Sequence, residues 1–194
     1  MFTKELIENA YSYAEYRKLT DELLAEGKTT GLEQTPELTE YTRLNVKRMS
    51  RWDKTAIIEN NLIEKLKNYS KKEYWLVLTE SWCGDAAQNI PFLIKIVEYA
   101  ENITIKFLLR DENPEIMNQF LTNGGKSIPK LIRLDENLNL LNHWGPRPQT
   151  LQNQFIDFKN KNMPKEEIIE TVHKWYFDNK GKDLQNEFLE MLNG

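Results

Sequence analysis

Apolar positions along the chain change their spacing near residue 70. Leu6, Ala10, Tyr13, Ala14 and Leu23 sit at helical spacing and Gly27 is placed as a C-cap, which predicts one helix over residues 4–26. After the polar loop Lys28-Thr29-Thr30-Gly31, Thr35-Pro36-Glu37-Leu38 reads as an N-cap followed by proline at the first helical position. That helix is expected to run to about Met49 on Leu38, Tyr41, Leu44 and Val46. A third is expected from about Asp53 to Tyr69 on Ile57, Ile58, Leu62, Ile63 and Leu66. Residues 1–70 thus read as a helical extension, and 71–194 as the domain it precedes.

From Tyr74 the pattern differs. Tyr74-Trp75-Leu76-Val77-Leu78-Thr79 is a continuous β-branched and aromatic run, the signature of a buried strand. Helical spacing returns from Ala86 to Ala100 with Ile90, Leu93, Ile94 and Val97. A second strand is expected over Ile103–Asp111, and a short helix opens at Asn113-Pro114-Glu115 and runs through Leu121. Leu131–Leu134 and Leu138–Trp144 flank the turn Asp135-Glu136-Asn137 and predict a β-hairpin. Helical stretches follow near Thr150–Lys159, Pro164–Phe177 and Lys182–Leu192. The order of the central part is β-α-β-α-β-β-α, an α/β arrangement with helices added at both ends.

Composition narrows the function classes. A chain of 194 residues suits one domain with additions, and a net charge of −4 gives no general attraction to nucleic acid or acidic lipid. No apolar run approaches the ~20 residues that span a bilayer. The start, Met-Phe-Thr-Lys-Glu-Leu-Ile-Glu, lacks a signal-peptide h-region. One cysteine excludes an intramolecular disulfide, so the expected setting is the reducing cytoplasm. Arg43, Lys47, Arg48 and Arg51 form a local basic cluster, a pattern that is usually a solvated helix face.

The single cysteine lies in Trp82-Cys83-Gly84-Asp85-Ala86-Ala87, where a strand ends and a helix begins. Unpaired N–H groups and the positive end of the helix dipole gather there, and both favour a thiolate. Comparable positions lower a thiol to a pKa of roughly 3.5–7.5. An accessible, functional Cys83 is therefore expected. Asp85 acts in the opposite direction, since its charge near Cys83 opposes ionisation, and the sign of the net effect depends on geometry. His143 and His173 with Cys83 make a poor zinc site, having no closely spaced ligand pair. Gly124-Gly125-Lys126-Ser127 is a false phosphate loop: Phe120 replaces the earlier glycine and Pro129 blocks the helix.

From about Lys72 to Gly145 the chain resembles the thioredoxin family. Trp82-Cys83-Gly84 matches the start of the family's Trp-Cys-Gly-Pro-Cys site, and Pro91 falls where members kink the active-site helix. Leu109 to Pro114 resembles the strand-to-helix segment, and Ser127-Ile128-Pro129 resembles the Gly-Ile-Pro element. The resemblance implies a thioredoxin-like fold, with a central mixed sheet flanked by helices. It also implies a cis bond before Pro129 and a substrate groove bordered by Trp82, Gly84, Asp85, Ile128, Pro129, Gly145 and Arg147. Together with the helical extension and Trp144-Gly145-Pro146-Arg147-Pro148, the Trp-Cys-Gly-Asp-Ala motif is similar to a bacterial thioredoxin-like branch with no settled activity.

Two departures bear on mechanism. Ala86 stands where the resolving cysteine of the family lies, so the dithiol cycle is closed to this chain acting alone. Val77 stands where members carry a buried carboxylate, which leaves Glu80 as the nearest candidate base. Monothiol exchange through Cys83 remains, with no bound cofactor, a small thiol such as glutathione as co-substrate, and a thiol- or disulfide-bearing protein as partner. The alternative is a non-enzymatic binding module holding a peptide or protein. Arg147 either faces the sulfur or pairs with an acid.

Overall fold

The apolar run that begins at Tyr74 is the centre of the sheet. In a computed structural model, which describes residues 2–193, strand β1 (Glu73–Thr79) lies between β2 (Ile103–Leu109) and β3 (Lys130–Asp135). Strand β4 (Leu140–Trp144) completes the order β2-β1-β3-β4. β1 pairs parallel with β2 and antiparallel with β3, and β3 pairs antiparallel with β4. A parallel neighbour requires a crossover, which helix α5 (Gly84–Val97) supplies. Trp75, Leu76, Val77 and Leu78 are fully buried, which explains why β1 reads as a continuous apolar run instead of an alternating one.

One charged pair is built into that sheet. Arg133 of β3 reaches Glu73 of β1 through Nε–Oε2 at 2.9 Å and Nη2–Oε1 at 2.7 Å. The Trp75 indole and the Tyr69 hydroxyl also donate to Glu73. Burial opposes the Glu73 charge, but these hydrogen bonds outweigh it and hold the carboxyl below its usual range.

Four helices precede the sheet among the described residues: α1 (Lys4–Asn9), α2 (Tyr13–Ala25), α3 (Pro36–Thr55) and α4 (Asn60–Lys67). The single helix expected over 4–26 is therefore two. The break comes at Tyr11, whose backbone leaves the helix to exchange hydrogen bonds with Phe107 on the β2 edge, at 3.0 and 2.8 Å. Ser12 restarts the helix with a capping box to Glu15. Thr35 and Pro36 open α3 as expected, but the helix continues to Thr55, beyond the expected end at Met49. The helix expected from about Asp53 to Tyr69 is present as α4 but starts only at Asn60, after a non-helical stretch over 56–59 in which Ile57 is 80% exposed. Tyr16, Met49, Trp52, Leu62 and Leu66 belong to the same buried cluster as the sheet.

After β2 come α6 (Pro114–Met117), the β3–β4 hairpin, and then α7 (Gln149–Asn160), α8 (Lys165–Asn179) and α9 (Lys182–Met191). Helix α6 is one turn, shorter than expected, because Leu121 and the Asn123-Gly124-Gly125 turn lie outside it. Helix α9 packs into the main core, with Phe188 against Trp75 at 5.2 Å and Trp144 at 5.5 Å between ring centroids. Helices α7 and α8 differ: Leu151, Ile168, Val172 and Tyr176 form a small core of their own. No helix among the described residues is long and apolar enough to cross a membrane.

Candidate functional site

Cys83 is the N-cap of α5, and its Sγ accepts the Ala86 N–H at 3.4 Å. Its thiol also lies 3.2 Å from the Ile128 carbonyl oxygen, to which it donates. A sulfur that donates to a carbonyl is a thiol, because a thiolate would face the oxygen lone pairs with no proton between them. The residue is only 7% exposed. The expectation of an accessible cysteine is therefore corrected, and the geometry decides the sign that the sequence left open. Burial, then the Asp85 charge, push the thiol up to about 12, against the help of the α5 amides and Arg147. The helix terminus favours ionisation, but desolvation is the larger effect.

Asp85, at the position where proline is usual, anchors the covering helices. Arg147 grips it in a bidentate fork, Nε–Oδ1 at 3.0 Å and Nη2–Oδ2 at 2.6 Å. The Tyr176 hydroxyl of α8 donates to Oδ1 at 2.8 Å and accepts from Asn89 of α5 at 3.0 Å. The Arg147 guanidinium stacks 3.8 Å from the centroid of Phe155 of α7 and reaches Gln152 at 3.1 Å. Burial raises the Asp85 carboxyl, and Arg147 and Tyr176 oppose that rise. Of the two roles open to Arg147, the structure shows the ion pair.

The result is a cavity of about 510 Å³ directly over the motif, walled by α3, α7 and α8. Trp82, Cys83, Gly84, Asp85 and Arg147 all line it. Leu38, Tyr41, Phe155, Ile168, Ile169 and Val172 give it apolar walls. Lys165 of α8 meets Glu37 of α3 at 3.2 Å, both mostly exposed, at the cavity's margin. Gly84 allows close approach: a Cβ there would meet His173 Cε1 at 3.0 Å, tighter than an ordinary contact.

The other expected groove residues are placed elsewhere. The Ile128–Pro129 bond is cis, and so is Gly145–Pro146. Ile128 and Pro129 are buried, and neither they nor Gly145 line the cavity. Gly145 lies against the Pro129 main chain at a φ of 104°, where a Cβ would sit 2.3 Å from the Pro129 oxygen. Thus Ile128 and Pro129, expected to border the groove, are packed inside. Val77 is fully buried among apolar neighbours. Glu80 is turned towards Asp111, whose N–H it accepts at 3.0 Å, and burial raises its carboxyl. It does not line the cavity.

Sequence reasoning missed Phe155, Val172 and Tyr176, because nothing local marks a distant helix as a wall of the site, and it weighed His173 with Cys83 only as a metal ligand. Arg48 did carry a signal as part of the basic cluster, which the structure divides. Arg43 pairs with Glu40 on the surface and Arg51 lies over the Trp52 ring at 4.6 Å, while Arg48 enters the cavity wall.

A family model described as thioredoxin matches residues 31–161, from the loop before α3 to the end of α7. Among solved structures, an HIV epitope-scaffold is similar at a TM-score of 0.58 and 19% identity, covering 95% of this chain and 99% of that chain. A protein of unknown function from Pseudomonas aeruginosa is similar at a TM-score of 0.54 and 20% identity, covering 95% of this chain and 98% of that one. Identities this low show the fold alone. No curated protein matches the chain. With about two thirds of its length under the family model and the β2-β1-β3-β4 sheet carrying Trp-Cys-Gly at the start of its crossover helix, the chain belongs to the thioredoxin family.

Proposed function

We propose that this protein is a thioredoxin-fold binding protein that holds a small molecule in the cavity above the motif, without a dithiol redox cycle. The observation that carries this reading is the cavity. Helices α3, α7 and α8 border a half-open cavity of about 510 Å³ over the position where family members meet their substrates. That volume is in the range of small-molecule sites, and the walls are largely apolar with a few convergent polar groups. The thiol is buried, protonated and lacks a resolving partner at Ala86, so its local chemistry favours packing over attack.

Monothiol exchange is the second reading, favoured by one observation: Cys83 forms part of the cavity wall. A small disulfide entering the cavity would be attacked by the Cys83 thiolate. One S–S bond would form, the original one would break, and the displaced sulfur would leave as a thiolate. An external thiol would then release the product.

Calorimetric titration of the full chain with decanol, a neutral apolar probe, tests the first reading, with Cys83→Ser alongside. Binding is expected in both proteins. Incubation of the folded protein with oxidised glutathione, followed by intact-mass measurement, is expected to leave Cys83 unmodified. No binding of decanol, together with stoichiometric glutathione addition, would replace the first reading by the second.

A further inference from the structure

We propose that the cavity is selective for a small anionic amphiphile, a carboxylate on an apolar body, with the carboxylate held between Arg48 and His173. This deepens the binding reading above and rests on it.

The first argument is charge balance inside the cavity. Three cations line it. Arg147 is matched by Asp85 at 2.6 Å and Lys165 by Glu37 at 3.2 Å. Arg48 has no carboxylate partner among the described residues. Its one hydrogen bond runs from Nη1 to the Asn45 side-chain oxygen at 2.8 Å. A guanidinium carries five N–H donors and no acceptor, so most of its fork is open. The remaining acid in the lining, Glu33, is exposed. A half-buried cation without a counter-ion is costly, and an entering anion removes that cost.

The second argument is the direction of a hydrogen-bond chain. The Trp52 indole N–H can only donate, and it donates to Gln88 Oε1 at 2.6 Å. This fixes the Gln88 amide, so its Nε2 is the group that faces His173 Nδ1 at 3.2 Å. Nδ1 must then accept, and the proton of the neutral ring sits on Nε2. His173 lines the cavity, and among the described residues Nε2 has no hydrogen-bond partner. Trp52 thus acts through Gln88 to present a second donor in the cavity that Arg48 also lines. Two donors that have no protein partner among the described residues and face the same cavity, one of them charged, suit an acceptor with negative charge. The apolar walls formed by Leu38, Tyr41, Phe155, Ile168 and Val172 call for a hydrocarbon or aromatic body behind it.

Calorimetry of the full chain with decanoate and with decanol, at matched salt and below micelle formation, separates the two claims. Decanoate is expected to bind at least about tenfold more tightly than decanol, the size of a charge-assisted hydrogen bond. In Arg48→Met that preference is expected to vanish, the ratio of decanoate to decanol affinity falling to about one. Arg48→Lys, which keeps the charge, is expected to retain part of it. A measurement on the unmodified protein guards against a folding defect in the variants. Decanoate should move the His173 ring nitrogen resonances and raise the His173 pKa from about 4, and decanol should not. Equal affinity for the two probes, or an undiminished preference in Arg48→Met, overturns this inference and leaves the cavity reading standing. Binding of neither probe overturns both.

Discussion

At Cys83 two residue-scale forces compete, and their balance sets the chemistry. The α5 terminus offers the Ala86 amide to the sulfur, whereas burial and the Asp85 charge act against ionisation and win. Two outcomes follow. The folded protein should react with iodoacetamide at pH 8 at least about a hundredfold more slowly than an unfolded control, because little thiolate is present. Asp85→Asn should shift the alkylation–pH profile to lower pH, since it removes the nearest like charge. An unchanged profile would show that the carboxylate does not reach the sulfur electrostatically. The same residue anchors structure: Arg147→Ala leaves Asp85 buried without its cation and should cost about 3 kcal/mol in urea unfolding. A loss below 1 kcal/mol would mean that solvent already screens the pair.

Helix boundaries in this chain are decided by what lies beside them. Ser12-x-x-Glu15 is a capping box visible in the sequence, yet the apolar spacing runs across it and reads as one helix. The competing interaction is the Tyr11–Phe107 bridge, a pairing between residues far apart in the chain that no local pattern announces. At the other end, the α8–α9 connection turns through Lys180 and Gly181, both left-handed, with Gly181 at a φ of 74°. A Cβ on Gly181 would lie 2.4 Å from the Phe92 ring of α5. Gly181→Ala therefore combines an unfavourable backbone conformation with a clash against a packed core side chain. It should cost at least about 2 kcal/mol, read as a lower unfolding midpoint without a change in m. A neutral result would show that α9 can shift away from Phe92 freely.

Over the whole molecule, helices α3, α7 and α8 wall a half-open cavity above the motif, and His173 links α8 to Gln88 of α5. Burial, and after it the nearby Arg48 charge, lower the imidazole from 6.5 to about 4. Between these values the unfolded chain binds a proton that the folded chain refuses. The stabilisation from neutral His173 is thus complete above pH 6.5 and disappears as the pH falls towards 4. His173→Asn keeps an acceptor for Gln88 without the titration, so its stability should fall less steeply over that interval. Superimposable pH profiles for the two proteins would remove His173 from the linkage.

The sequence by itself determined the sheet, the crossover helix and the position of the cysteine. Those features follow from continuous apolar runs, capping residues and turn chemistry, all of which act over a few neighbouring positions. It also placed Trp82, Gly84, Asp85 and Arg147, which the structure brings together around one cavity. Only the tertiary structure decided the state of Cys83, the pairing of Arg147 with Asp85, and the walling of the site by Phe155, Val172 and His173. Burial and electrostatic balance are sums over residues distant in the chain, so no window of sequence around the motif contains them.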